Sequence, residues 1–141
     1  MQRAVSRTQK TGSAPPRRPL RVVIADDNRD YVLTTQVLLR LEGYETKACY
    51  SGSEVYDCVK EFDADVVLLD IRMPGMSGWA VAEQIRARIP GKRPLLIGIT
   101  GERITTSDRI LSEMRGLDYH LNKPLDIKAL VALIETARHP G

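Results

Sequence analysis

Residues 65 to 78 constrain this chain more than any other stretch, reading Asp-Val-Val-Leu-Leu-Asp-Ile-Arg-Met-Pro-Gly-Met-Ser-Gly. Val66 to Leu69 are apolar without a break and a Pro/Gly loop follows, the pattern of a strand buried on both faces of a parallel sheet. Asp70 stands where that strand ends. A carboxylate set against four apolar residues is costly unless it reaches the solvent rim or meets a cation. Open α/β sheets bind ligands at the carboxyl ends of their strands, so position alone makes Asp70 a site candidate. On this segment alone a second reading stays open, a capping or turn aspartate before Pro74-Gly75.

The rest of the chain repeats this arrangement. Arg21 to Ala25 is a short apolar strand that ends in Asp26-Asp27-Asn28, and although one of these caps the next helix, capping does not need two adjacent acids. A helix from about Arg29 to Leu41 is expected to turn Leu33, Val37, Leu38 and Leu41 inward as one stripe, with Gly43 stopping it. Glu45 to Cys49 alternates like an edge strand, and Ser53 to Phe62 gives a second helix. After Asp70, Ser77 is placed to cap a helix through Arg88, whose inner side carries Val81, Ala82, Ile85, Ile89 and a packing Trp79. Pro94 to Ile99 is a fourth strand, terminated by Thr100-Gly101. A helix over Ile104 to Arg115 is weakened by Thr105, Thr106 and Ser107, which are poor helix formers. Asp118 to Asn122 makes a fifth strand closed by Lys123-Pro124. The last helix, Asp126 to Ala137, aligns Ile127, Leu130, Val131 and Ile134.

Five alternations of strand and helix predict an α/β fold, a five-stranded parallel sheet with helices on both faces joined by right-handed crossovers. All strand ends then meet one rim, where Asp26, Asp27, Asp70, Thr100 and Lys123 coincide. The 141 residues suit one domain, and 43% hydrophobic with 28% charged residues exclude fibrous, disordered and membrane classes. The net charge of +3 comes from residues 1–19, which hold five basic residues and no acid, so the remainder carries −2. That distribution argues against a nucleic-acid binder, whose basic patch belongs on the folded domain. Residues 1–19 read as a disordered basic arm, either attracting an acidic partner, anionic lipid or nucleic acid or simply solvated, followed by a domain over 20–138 and a tail over 139–141. With four residues left beyond the last helix, no DNA-binding or other output domain is expected in this chain. Cys49 and Cys58 form neither a disulfide framework nor a metal spacing, and with no membrane-length apolar stretch the expected location is the cytoplasm.

Three converging carboxylates repel one another, and a divalent cation is the natural remedy. An all-oxygen set favours Mg2+ over zinc. Lys123 adds a compact positive charge suited to a phosphoryl group, and Thr100 adds a hydroxyl donor. Asp70 is then a candidate nucleophile, since carboxylates form acyl phosphates.

From about Leu20 to Ala137 the chain resembles the receiver domains of two-component response regulators. The matching motifs are Asp26-Asp27, the run from Asp70 to Gly78, Ile99-Thr100-Gly101 and Lys123-Pro124, weak singly and specific together. The resemblance implies the flavodoxin-like strand order 2-1-3-4-5, and phosphorylation of Asp70 by a histidine kinase or histidine phosphotransfer protein. It implies that Asp27, Asp70 and the backbone carbonyl of Arg72 hold Mg2+ directly, with Asp26 assisting through water. It also implies a cis Lys123-Pro124 bond and an inward move of Thr100 together with residue 120. That move alters the surface of the fourth helix, fifth strand and fifth helix for a downstream partner or for dimerisation.

His120 stands where the family usually has Tyr or Phe, as it does in many receivers of hybrid sensor kinases. It is either the switch residue or an accommodated strand residue. The Arg72 side chain borders the site, either touching the phosphoryl group or lying in solvent. Three readings compete: a receiver, free-standing or cut from a hybrid kinase; a Mg2+-dependent phosphatase with an aspartate nucleophile; and an interaction module without chemistry. The haloacid dehalogenase type of phosphatase places its nucleophile after strand one as D-x-D. Here the acids are adjacent.

Overall fold

The computed structural model describes residues 18–91, 93–101 and 105–138, excepting the side chains of 112–114. Most of the proposed arm, the proposed tail and the start of the fourth helix at Ile104 lie outside these residues. The elements are β1 (Arg21–Ala25), α1 (Arg29–Leu41), β2 (Glu45–Cys49), α2 (Gly52–Phe62) and β3 (Val66–Asp70). They continue with α3 (Gly78–Arg88), β4 (Leu95–Thr100), α4 (Thr106–Met114), β5 (Tyr119–Asn122) and α5 (Ile127–Glu135), then a 3-10 turn over Thr136–Arg138. Every strand pair is parallel and the order is β2-β1-β3-β4-β5, as expected. Strand four runs one residue further than the sequence suggested and takes in Thr100.

Alternation along the strands divides the core in two. Val23, Ala25, Val67, Leu69 and Leu96 face one side and pack with Val55 and Val59 of α2 and Val81, Ala82 and Ile85 of α3. Val22, Ile24, Val66, Leu68, Ile97 and Ile99 face the other, against Val32 and Leu39 of α1 and Leu130 and Ile134 of α5. Side chains two residues apart share a face, so a continuous apolar run serves both layers. Cys49 is buried and Cys58 half-buried, both free. Burial, with Cys58 beside it, pushes the Cys49 thiol up to about 12, so it stays protonated.

The expected inner face of α1 is wrong. Leu33, Val37, Leu38 and Leu41 are exposed, at 59%, 48%, 41% and 77%. Val32, Thr35, Gln36 and Leu39 are buried instead. Thr35 Oγ1 donates to the Tyr31 carbonyl at 2.8 Å, and Gln36 Nε2 donates to Thr46 Oγ1 at 3.2 Å. With those polar groups satisfied, burying them costs little, and apolarity alone picked the opposite face.

The amino end of the sheet is tied by Asp65, a buried carboxylate that sequence reading passed over. It accepts from the Arg21 amide at 2.8 Å and from Arg18 Nη2 at 3.0 Å, and it pairs with Arg93. Arg18, counted with the arm in the sequence reading, is therefore bound to the sheet. The Arg93-Pro94 bond is cis, as is the expected Lys123-Pro124 bond.

Two glycines let the loop after β3 close against its surroundings. A Cβ at Gly78 would lie 2.7 Å from the Asp70 carbonyl oxygen, and one at Gly52 would lie 1.9 Å from that of Met76. The Gly78 amide donates to the Ile71 carbonyl at 2.9 Å across this approach. Gly78→Ala is expected to cost ~1–3 kcal/mol, because backbone must shift to admit the methyl group. Urea unfolding checks this, and an unchanged midpoint contradicts it.

Candidate functional site

Register explains why distant residues meet. Ala25 is level with Leu69 and Ile99 with Asp70, so Asp26 and Asp70 leave neighbouring strands at the same height, with Thr100 one step beyond. Thr100 is level with Asn122, and the Lys123 amide donates to the Thr100 carbonyl at 2.8 Å. The lysine enters the rim from there.

One carboxylate oxygen from each of Asp26, Asp27 and Asp70 lies within 4.8 Å of the others, an arrangement that can hold a metal ion. Asp26 and Asp70 are buried and Asp27 is exposed. Asp26 uses Oδ1 to accept from the Asn28 amide at 2.9 Å and Oδ2 to meet Lys123 Nζ at 2.7 Å. The same ammonium lies 3.9 Å from Asp70 Oδ2. Asp70 Oδ1 accepts from the Arg72 amide at 3.1 Å. Three carboxylates and one ammonium leave two negative charges, the complement of a divalent cation. Oxygen donors without His or Cys suit Mg2+.

Burial is the main reason that Asp70 holds its proton up to about 6 instead of the ordinary 3.8. The Arg72 amide works against that rise, Asp26 adds to it, Lys123 opposes it and Asp27 adds a little more. At neutral pH most of the carboxyl is therefore ionised.

Thr100 is buried at the end of β4. His120 is half-buried on β5, level with Gly98, where a Cβ would stand 3.5 Å from its Cδ2 and only 2.8 Å from Leu117 Cδ1. Burial holds its imidazole below the ordinary range, with Asp108 of α4 pulling upward and Arg109 downward. His120 thus sits between β4 and α4, while its neighbour Tyr119 is exposed. The Arg72 side chain is exposed.

Asn28 caps α1 by accepting from the Tyr31 amide at 3.0 Å. Ser77 caps α3 by accepting from the Ala80 amide at 3.2 Å. Tyr31, which sequence reasoning missed, places its ring 4.3 Å from Lys123 Nζ. The available signal was an aromatic residue one turn after the paired acids, on a helix that must start at the rim.

A doubly wound α/β domain with acids just after β1 and at the end of β3 and a lysine after β5 defines a class of signalling protein. The chain belongs to the response regulator receiver domain family, whose pattern matches residues 22–135. Receiver domains are signalling domains of two-component systems. Solved structures agree in fold. A receiver domain protein from Methanospirillum hungatei JF-1 is 23% identical with a TM-score of 0.76, over 87% of this chain and 99% of that one. The Vibrio cholerae chemotaxis protein CheY4 is 21% identical with a TM-score of 0.77, over 84% and 98%. A receiver domain protein from Clostridium thermocellum is 26% identical with a TM-score of 0.75, over 84% and 93%. No described helix is long and apolar enough to cross a membrane.

Proposed function

We propose that this receiver accepts a phosphoryl group on Asp70 from the phosphohistidine of a histidine kinase or histidine phosphotransfer protein, in the cytoplasm. The observation that carries this reading is the Lys123 ammonium, whose Nζ is set 2.7 Å from Asp26 and 3.9 Å from Asp70 beside three clustered carboxylates. A carboxylate oxygen of Asp70 attacks phosphorus, the nitrogen–phosphorus bond breaks, and the histidine keeps the electron pair and takes a proton. Asp27, Asp70 and the Arg72 carbonyl would hold Mg2+, with Asp26 assisting through water, and the ion supplies charge neutralisation for the phosphoryl oxygens. Lys123 and the Thr100 hydroxyl take up the remaining oxygens. Thr100 turning inward then shifts His120 and the surface of α4, β5 and α5, which a downstream partner or a second receiver reads.

The donor's docking face in this reading is the outer side of α1. That helix starts at the acid pocket, and Leu33, Val37 and Leu41 run away from it in steps of one turn, all exposed. A donor bringing its histidine to Asp70 covers the adjoining rim, and an apolar helical face there fits a partner helix.

Acetyl phosphate provides the test. With Mg2+ the intact mass is expected to rise by one phosphoryl group, and a chelator is expected to remove the gain. Equal labelling in the chelator contradicts the reading. Repeated turnover of several phosphate esters would favour a phosphatase.

A further inference from the structure

Tyr31 lies on the first turn of α1 with its amide held by the Asn28 side chain and its carbonyl by Thr35 Oγ1. The ring therefore has a fixed base. Its face stands 4.3 Å from Lys123 Nζ, well inside the range in which an ammonium is attracted by an aromatic quadrupole. The hydroxyl is buried, and the side-chain partner beside it is Thr35 rather than Lys123, so what this side chain gives the lysine it gives through its ring. Burial, followed by the nearby Asp26 charge, pushes the phenol upward, so it stays neutral.

Lys123 carries its charge on a flexible four-carbon stem. Asp26 holds the ammonium from one side, but on its own it would let the stem turn about a single contact. The Tyr31 ring is a second contact, at 4.3 Å, and Asp70 Oδ2 lies 3.9 Å away. We propose that Tyr31 is a positioning residue for Lys123: its ring confines the ammonium beside Asp26, within a short move of a phosphoryl oxygen arriving on Asp70. This rests on the function proposed above. It predicts an effect that passes entirely through the lysine.

The unsubstituted protein gives the first readout. In proton NMR the Lys123 ε-methylene signal is expected upfield of its ordinary position, shifted by the ring current, and Tyr31→Leu should return it. The second is a double-mutant cycle on acetyl phosphate labelling. Tyr31→Leu is expected to slow labelling by about three- to tenfold. Tyr31→Phe should label like the parent chain. In the Lys123→Ala background Tyr31→Leu should change nothing further. An ordinary ε-methylene shift, a Phe variant as slow as Leu, or a Leu effect that persists without the lysine overturns the proposal. If Lys123→Ala itself labels at the parent rate, the failure belongs to the phosphoacceptor reading instead.

Discussion

Asp70→Asn is expected to take up no phosphoryl group, from acetyl phosphate or from a phosphohistidine donor, and yet to unfold at a higher temperature than the parent chain. The amide is no nucleophile toward phosphorus, so the loss is complete rather than partial. The stability gain follows from the raised acidity constant of the parent residue. Asp70 holds its proton up to about 6 in the fold against 3.8 ordinarily. Between those values the folded chain binds more protons than the unfolded one, so parent stability falls as pH rises through the window and stays lowered above it. Asparagine has no charge to bury and none to set against Asp26 and Asp27. The gain should be full above about pH 6 and vanish toward pH 4, as read by thermal unfolding across that range. A variant that labels, or one whose gain grows on acidification, contradicts this account.

Leu33→Glu combined with Val37→Glu is expected to slow transfer from a phosphohistidine donor about a hundredfold or more, while acetyl phosphate labelling stays within about twofold. A hundredfold is worth about 2.7 kcal/mol of binding, within reach of two apolar anchors at an interface centre. Both side chains are already exposed, at 59% and 48%, so charging them leaves the two core layers intact. Stopped-flow or gel-based transfer against the two donors separates docking from chemistry. Equal slowing of both donors would show that the substitutions act on the fold. Unchanged transfer from the protein donor would place its docking elsewhere.

Much of the fold was legible because its signals are local. Val66 to Leu69 needs two buried faces, and every strand except β2 runs out at a polar residue. Four such endings on one rim, those of β1, β3, β4 and β5, bring Asp26, Asp27, Asp70, Thr100 and Lys123 together without any knowledge of distance. What escaped the sequence depends on which polar side chains find partners in the fold. Thr35 and Gln36 turn inward because Tyr31 and Thr46 satisfy them, which reversed the reading of α1. Asp65 is buried because Arg18, the Arg21 amide and Arg93 converge on it, and nothing in its own neighbourhood announces that. Tyr31 reads as one more aromatic residue until Lys123 is laid across its ring.

The central claim is that Asp70 becomes a mixed carboxylic–phosphoric anhydride in a pocket whose other acids hold Mg2+. Reduction with borohydride tests it most directly, because hydride converts an acyl phosphate to an alcohol and leaves phosphoserine, phosphothreonine and free carboxylates alone. Peptide mapping after acetyl phosphate, Mg2+ and borohydride is expected to find homoserine at position 70 and at no other aspartate, and none when the metal is chelated. Homoserine at another aspartate, or an unreduced phosphate ester on a hydroxyl residue, would contradict the account.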